Sequence, residues 1–334
     1  MKTCKKCNLP ETYNNIIINS DGVCNYCNFY DEHKNELTNF NELEKKFVEK
    51  LEQAKIKAKE NGARYDCLVG ISGGKDSSYI VYQLKNKYNM RVLAFNYDNG
   101  FCTEYMDNNV KNLIEKLDVD FIKFTAKDSF LRKNYSMAVG AMKNFCLVCG
   151  HYVHYNSFLT AYEKKIPIII NGRTRGQVLQ LATSTTMLEP YENPSCLREF
   201  EYIMRNMVDE KILKQIEQAM FVDYLDDVRV ESLSYFMYHP YNEDSIKDFL
   251  EEKIGWERPK DGVKHPDCWA HSLAEHFFLQ QNNFPFVTGD IAVSVREGLI
   301  TREEAMKIMK EEEQEFKNIN TEVVERFKKR ISIK

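Results

Sequence analysis

Two groups of residues in this chain have the types and spacing for chemistry. The first is Ser72-Gly73-Gly74-Lys75-Asp76-Ser77-Ser78. Its two glycines let the backbone approach an anion where a side chain would clash. A helix starting there adds free N–H groups and the positive end of its dipole. The serine hydroxyls can donate further hydrogen bonds, and Lys75 supplies charge. Together they make a phosphate cradle. It differs from the GxxxxGK[ST] signature of enzymes that cleave the terminal phosphate.

The second group is the cysteines. Cys4-x2-Cys7 and Cys24-x2-Cys27 have the spacing of a tetrathiolate site. Four sulfurs can surround one Zn²⁺ and leave no position open, so the role is structural. A head of about 30 residues has too little apolar surface to fold alone, so the metal would supply much of its stability. Iron with the same ligands stays an alternative. A further pair, Cys146 and Cys149, lies in Phe145-Cys-Leu-Val-Cys-Gly-His151. It reads in three ways: as ligands of an iron-sulfur cluster, as redox or persulfide-carrying thiols, or as small apolar packing. Cys268 is the candidate third ligand, with Cys196 and Cys102 as alternatives. Cys67 sits in an apolar run and reads as core. Among the histidines, a helix after Cys268 would bring His271 beside it.

The elements that must position these groups alternate. Asp66–Ile71, Arg91–Tyr97, Asp120–Thr125 and Ile166–Asn171 read as strands. Asp76–Tyr88, Met106–Leu117 and Tyr152–Lys164 read as helices between them. This order predicts an α/β fold, a doubly wound parallel sheet covered on both faces. The near-continuous apolar runs predict strands buried on both sides. The helical spacing of Leu43, Phe47, Leu51 and Ala54 predicts a helix over Phe40–Asn61. Leu179–Glu251 reads as mostly helical. Thr301 and Glu304 form a candidate capping box opening a charged helical tail. The expected division is a cysteine head over 1–31, a linker helix over 32–64, a nucleotide-binding core over 65–180 and a helical region over 181–334.

The loop resembles the SGGxDS motif of the PP-loop ATP pyrophosphatases, also called adenine nucleotide alpha hydrolases. That resemblance implies a HUP-like sheet and cleavage of ATP between its α and β phosphates, with Mg²⁺ neutralising charge. Ser72–Ser78 would hold the phosphates, with Lys75 and Asp76 acting in catalysis. Phe95 and Asn96 would lie near adenine and Gly172 near the α phosphate. Members often carry His and Asp after that glycine; this chain has Arg173-Thr174-Arg175, and either arginine is a candidate phosphate contact. The zinc-ribbon-like head, Cys4–Thr12 with Gly22-Val23-Cys24, and the run Thr301–Ala305 resemble the N-acetyl sugar amidotransferases. Those enzymes imply ammonia from a glutaminase subunit. The pair Cys146/Cys149 instead resembles that of the iron-sulfur tRNA thiolases. There a CxxC and a distant cysteine hold a [4Fe-4S] cluster with one iron open, and a sulfur donor is implied. The acceptor is then a small molecule or a tRNA base. The extra cysteines favour sulfur transfer; ammonia insertion is the alternative. Related enzymes are often dimers, which leaves a homodimer open.

The bulk numbers fit these expectations. The chain has 334 residues, 43% hydrophobic and 29% charged, as in soluble globular proteins. A formal net charge of -4 gives no sign of bulk nucleic-acid binding. The opening MKTCKKCNLP has no apolar core of a secretory signal, and no run of about 18 apolar residues suggests a membrane span. Close cysteine pairs without a signal point to the cytoplasm.

Overall fold

The computed structural model describes residues 2–13, 16–142, 145–181, 230–259 and 267–332. Five strands form one sheet: β1 (Cys67–Gly70), β2 (Val92–Asp98), β3 (Asp120–Thr125), β4 (Ile168–Asn171) and β5 (Glu231–Ser234). Their order is β3-β2-β1-β4-β5 and every pair is parallel. Parallel neighbours need crossovers, and helices supply them. These are α3 (Lys75–Asn86), α4 (Glu104–Leu117), and the pair α5 (Asp128–Met142) and α6 (Cys146–Glu163); α7 (Arg175–Leu181) follows β4. Ahead of the sheet lie α1 (Asn25–Thr38) and α2 (Phe40–Glu60). After it come α8 (Tyr235–Tyr238), α9 (Glu243–Ile254), α10 (His271–Asn282), α11 (Thr288–Arg296), α12 (Arg302–Lys317) and α13 (Thr321–Ile331).

The alternation of strand side chains divides the core in two. Cys67, Val69, Val92, Ala94, Ile168 and Ile170 face α2, α3, α4, α8 and α9. Leu68, Leu93, Phe95, Tyr97 and Ile169 face α5, α6, α10 and α13. The sheet is therefore doubly wound, as the sequence predicts. Phe47 of α2 shows what holds the first layer. It is fully buried and meets the rings of Tyr88, Tyr235, Tyr238 and His239. Truncating it to alanine would cost about 3–5 kcal/mol.

Three expectations change. Burial on both faces holds for β1, β2 and β4 but fails for β3, an edge strand whose Phe124 is 39% exposed. The helical reading of Leu179–Glu251 is interrupted by β5, which adds to the far edge through β4. The stretch 182–229 within it lies outside the described residues. The fifth strand thus comes from beyond residue 181, and the sheet draws on both halves of the chain. Finally, the sequence pattern assigns no element to the α5 segment, yet its Leu131, Tyr135 and Ala138 are core. The capping box is present: Glu304 N–H donates to the Thr301 hydroxyl, and Thr301 N–H donates back to the Glu304 carboxylate.

The head packs on the C-terminal helices. Tyr13 and Tyr26 join Phe278, Phe284 and Ala292 in a third cluster. No helix among the described residues is long and apolar enough to cross a membrane.

Candidate functional site

Strand order reverses direction between β1 and β4, where the connections leave to opposite sides of the sheet. In open parallel sheets ligands bind in that crevice, at the carboxyl ends of the strands. The loop Ser72–Gly74 follows β1 there, and Asn171-Gly172-Arg173 ends β4 beside it. Gly74 caps α3, so the free N–H groups of the first turn open onto the loop. Gly73 has φ +76, and a Cβ there would lie 2.6 Å from the Met106 carbonyl oxygen. Only glycine fits. The Ser78 hydroxyl donates to the Gly74 carbonyl at 2.8 Å, and the Ser77 hydroxyl to the same oxygen at 3.3 Å. The Gly74 N–H reaches the Ser72 hydroxyl at 3.3 Å. With donors packed this way and no side chain between, the cradle suits a polyphosphate.

The charges around the loop are mixed. Lys75 Nζ lies 3.3 Å from Asp76 Oδ2 and 3.8 Å from Glu243 Oε2. Burial raises the Asp76 carboxyl above its ordinary range, although Lys75 and a hydrogen bond from Tyr241 oppose this. Asp290, from the N-terminal turn of α11, has its carboxyl pushed up to about 6 by burial. It accepts from the Thr174 hydroxyl and the Gly176 N–H, so it fixes the turn that follows Gly172. The fit is close: a Cβ on Gly176 would fall 2.3 Å from Asp290 Oδ1, and one on Gly289 would fall 2.6 Å from the Tyr13 hydroxyl.

Phe95 and Asn96 sit on β2 next to the loop but face opposite sides of the sheet. Phe95 is packed in the second core layer. Asn96 donates from Nδ2 to the Ile71 carbonyl at 2.7 Å, tying β2 to the start of the loop. Of the two arginines after Gly172, Arg175 is committed to the fold. Its guanidinium pairs with Glu297 at 2.6 Å and lies 4.7 Å over the Phe40 ring. Arg173 reaches the His154 ring.

The second cysteine set gathers at the carboxyl end of β2. Asn99 follows that strand; its Nδ2 donates to Cys149 Sγ at 3.5 Å and its Oδ1 accepts from Phe101 N–H at 2.8 Å. Cys268 is bridged to Cys102 backbone to backbone, and Trp269 N–H donates to the Phe101 carbonyl. Cys146 and Cys149 open α6. Cys146, Cys149 and Cys268 all pack against the core layer of Phe101, Tyr135 and Phe145. Burial raises all three thiols, Cys149 to about 11 and Cys268 to about 12. Helix α10 begins only at His271, whose backbone N–H donates to the Cys268 carbonyl, while its ring meets Glu275 at 3.2 Å rather than the Cys268 thiol. Cys102 packs instead against the other core layer. Cys196 lies outside the described residues. A three-thiol set in an apolar wall fits a cluster with one unthiolated iron.

The head is tighter. Cys4, Cys7, Cys24 and Cys27 bring four sulfurs within 4.8 Å of one another, all buried. Among the described residues no other group of three or more such ligands is drawn so close. The Cys24 N–H donates to Cys4 Sγ at 3.3 Å. Hydrogen bonds from the neighbouring thiols lower Cys4, and those from Cys24 and Cys27 bring Cys7 to about 7. Arg296, at the end of α11, faces the group; burial opposes its charge, and Cys7, Cys27 and Cys24 raise its pKa nonetheless. Four soft donors with a half-buried arginine nearby fit a closed tetrahedral metal site.

Sequence reasoning misses Asn99, Trp256, Tyr241 and Asp290. Each reaches the site from far along the chain or across it, and none stands in a recognisable spacing.

No family model matches the chain. An uncharacterized protein of Methanocaldococcus jannaschii is 21% identical over 285 residues, 85% of each chain. Among solved structures, the U34-tRNA thiolase NcsA of Methanococcus maripaludis with its [4Fe-4S] cluster is 18% identical. That match covers 90% of this chain and 87% of the other, with a TM-score of 0.37. The NH3-dependent NAD synthetase of Campylobacter jejuni is 12% identical, covering 68% and 100%, with a TM-score of 0.34. NMN synthetase of Francisella tularensis is 12% identical, covering 65% and 98%, with a TM-score of 0.31.

Proposed function

We propose that the protein is an adenylating ATP pyrophosphatase of the PP-loop kind that transfers sulfur to an activated carbon. One observation carries this reading. A glycine-rich phosphate cradle and a three-thiol apolar wall stand at the carboxyl ends of neighbouring strands, β1 and β2. A chemistry that both breaks ATP and delivers sulfur needs that adjacency.

ATP binds with its phosphates on Ser72–Ser78 and Mg²⁺ offsetting part of their charge. Lys75, held between Asp76 and Glu243, swings its ammonium toward the phosphate oxygens. The turn fixed by Asp290, with Gly172 at its start, borders the α phosphate. A carbonyl or amide oxygen of the acceptor attacks the α phosphorus, pyrophosphate leaves, and AMP stays on that oxygen as a leaving group. The protein's part is positioning and charge stabilisation. Cys146, Cys149 and Cys268 would hold a [4Fe-4S] cluster, which when bound would supply a place for the sulfur to be transferred. Asn99 donates to Cys149 and steadies its charge. The acceptor is a small molecule or a tRNA base, a sulfur donor is the partner, the head holds structural Zn²⁺, and the compartment is the cytoplasm.

Purification without oxygen tests this. The expected result is a brown protein with about four irons and matching labile sulfide, besides zinc in the head, and with acceptor-dependent pyrophosphate release. A colourless, zinc-only protein that works unimpaired as Cys146→Ala would overturn sulfur transfer. Pyrophosphate release driven by ammonia or glutamine would then support insertion of nitrogen into an N-acetyl sugar, the reading favoured by the head and by Thr301–Ala305.

A further inference from the structure

The phosphate loop is gripped from outside by a residue far along the chain. Trp256 is buried, and its indole N–H donates to the Gly73 carbonyl at 2.9 Å. The segment carrying it is itself fastened. Asn109 of α4 donates to the Glu257 carbonyl at 3.2 Å and accepts from the Glu257 N–H at 2.9 Å. Asn112 donates to the Gly255 carbonyl at 3.1 Å, and the Trp256 N–H reaches the Leu250 carbonyl at 3.2 Å. The indole therefore has little freedom to follow the loop.

In a trans peptide the C=O and the next N–H point in opposite directions. Holding the Gly73 carbonyl toward Trp256 therefore turns the Gly74 N–H inward, where it now meets the Ser72 hydroxyl. A peptide between two glycines is the one most free to flip, since neither side carries a Cβ to resist. Flipped, it would aim a carbonyl oxygen at the phosphates instead of a donor.

We propose that Trp256 is the positioning residue of the phosphate loop, its indole N–H locking the Gly73–Gly74 peptide with the Gly74 N–H toward a bound polyphosphate. This rests on the nucleotide reading above. The test separates the hydrogen bond from the packing. Trp256 is replaced by β-(3-benzothienyl)alanine, which keeps the bicyclic shape and lacks the N–H, and in parallel by phenylalanine. Magnesium pyrophosphate and magnesium ATP are the probes, and calorimetry reads their dissociation constants. The benzothienyl protein should melt within a few degrees of the native one and bind both probes about tenfold more weakly, the worth of one oriented hydrogen bond. Equal binding by native and benzothienyl proteins would overturn the role of Trp256 and leave the nucleotide reading standing. If the native protein binds neither probe, both fall.

A second measurement needs no change at Trp256. The chain has two tryptophans, so Trp269→Phe leaves a single indole N–H resonance. That resonance should exchange slowly with solvent and move when magnesium pyrophosphate is added. Fast exchange, or no movement, would contradict the lock.

Discussion

The two cysteine sets use the same atom and differ in everything around it. In the head, four free thiols lie within 4.8 Å, in hydrogen-bond contact in two pairs, one accepting a backbone N–H, with the Arg296 charge nearby. At the end of β2, three sulfurs line an apolar wall, and Asn99 reaches one of them. The head is closed and charge-compensated, as a stabilising site should be. The other is wider, its thiols are raised in pKa by burial and so held protonated without a metal, and it stands beside the glycine loop. Spacing marks the head as a four-sulfur set and leaves the lone CxxC open; the surroundings give the second set its character.

The contrast is sharpest under substitution. Cys7→Ser should release the head's metal and lower the melting temperature by more than about 10 °C, because structural zinc contributes on the order of 10 kcal/mol to such folds. Cys146→Ala should leave zinc content intact and shift melting by only a few degrees, while product formation falls at least about a hundredfold. Metal analysis with thermal melting checks both. Equal loss of stability in the two variants would erase the distinction.

Cys149→Ala and Cys268→Ala should abolish iron content and sulfur transfer yet keep magnesium ATP affinity within about twofold, by calorimetry, because neither touches the phosphate loop. A large loss of nucleotide binding would mean that the thiols support the cradle rather than the chemistry.

A smaller effect concerns pH. Thiols raised to about 11 and about 12 are protonated at neutral pH. In metal-free protein the thiolate fraction of Cys149 and Cys268, and with it alkylation by iodoacetamide, should rise about tenfold per pH unit from pH 7 until pH nears 11. Cys7, at about 7, should react readily at pH 8 once zinc is removed. Mass spectrometry of labelled peptides reads each site. Fast labelling of Cys149 at pH 7 would reverse the assignment.

The mildest change is Asn99→Leu. Removing its N–H from Cys149 should raise that thiol further and slow product formation a few-fold, with iron content unchanged.

Much of this molecule is legible in its amino-acid sequence. The runs CLVG, VLAFNY and IIIN are apolar almost without interruption, and buried parallel strands have few other ways to be built. The loop stands out because glycine pairs before a helix have few other uses. β5 is hidden because ESLS has one large apolar residue, and its strand identity comes from pairing with β4. Asp290 and Trp256 are hidden for a related reason. A single acid or tryptophan gains meaning only from what folding brings to it, here a turn at Thr174 and a carbonyl at Gly73.

The close approach of Gly289 to Gly176 and Tyr13 has a consequence for how the molecule can be silenced. One short helix, α11, leans on the cysteine head with Arg296 and holds the turn after β4 with Asp290. A chelator that strips the head would thereby slacken the turn after β4, which it never touches. If the proposed reading holds, loss of the head's metal should then weaken magnesium ATP binding before the protein itself unfolds.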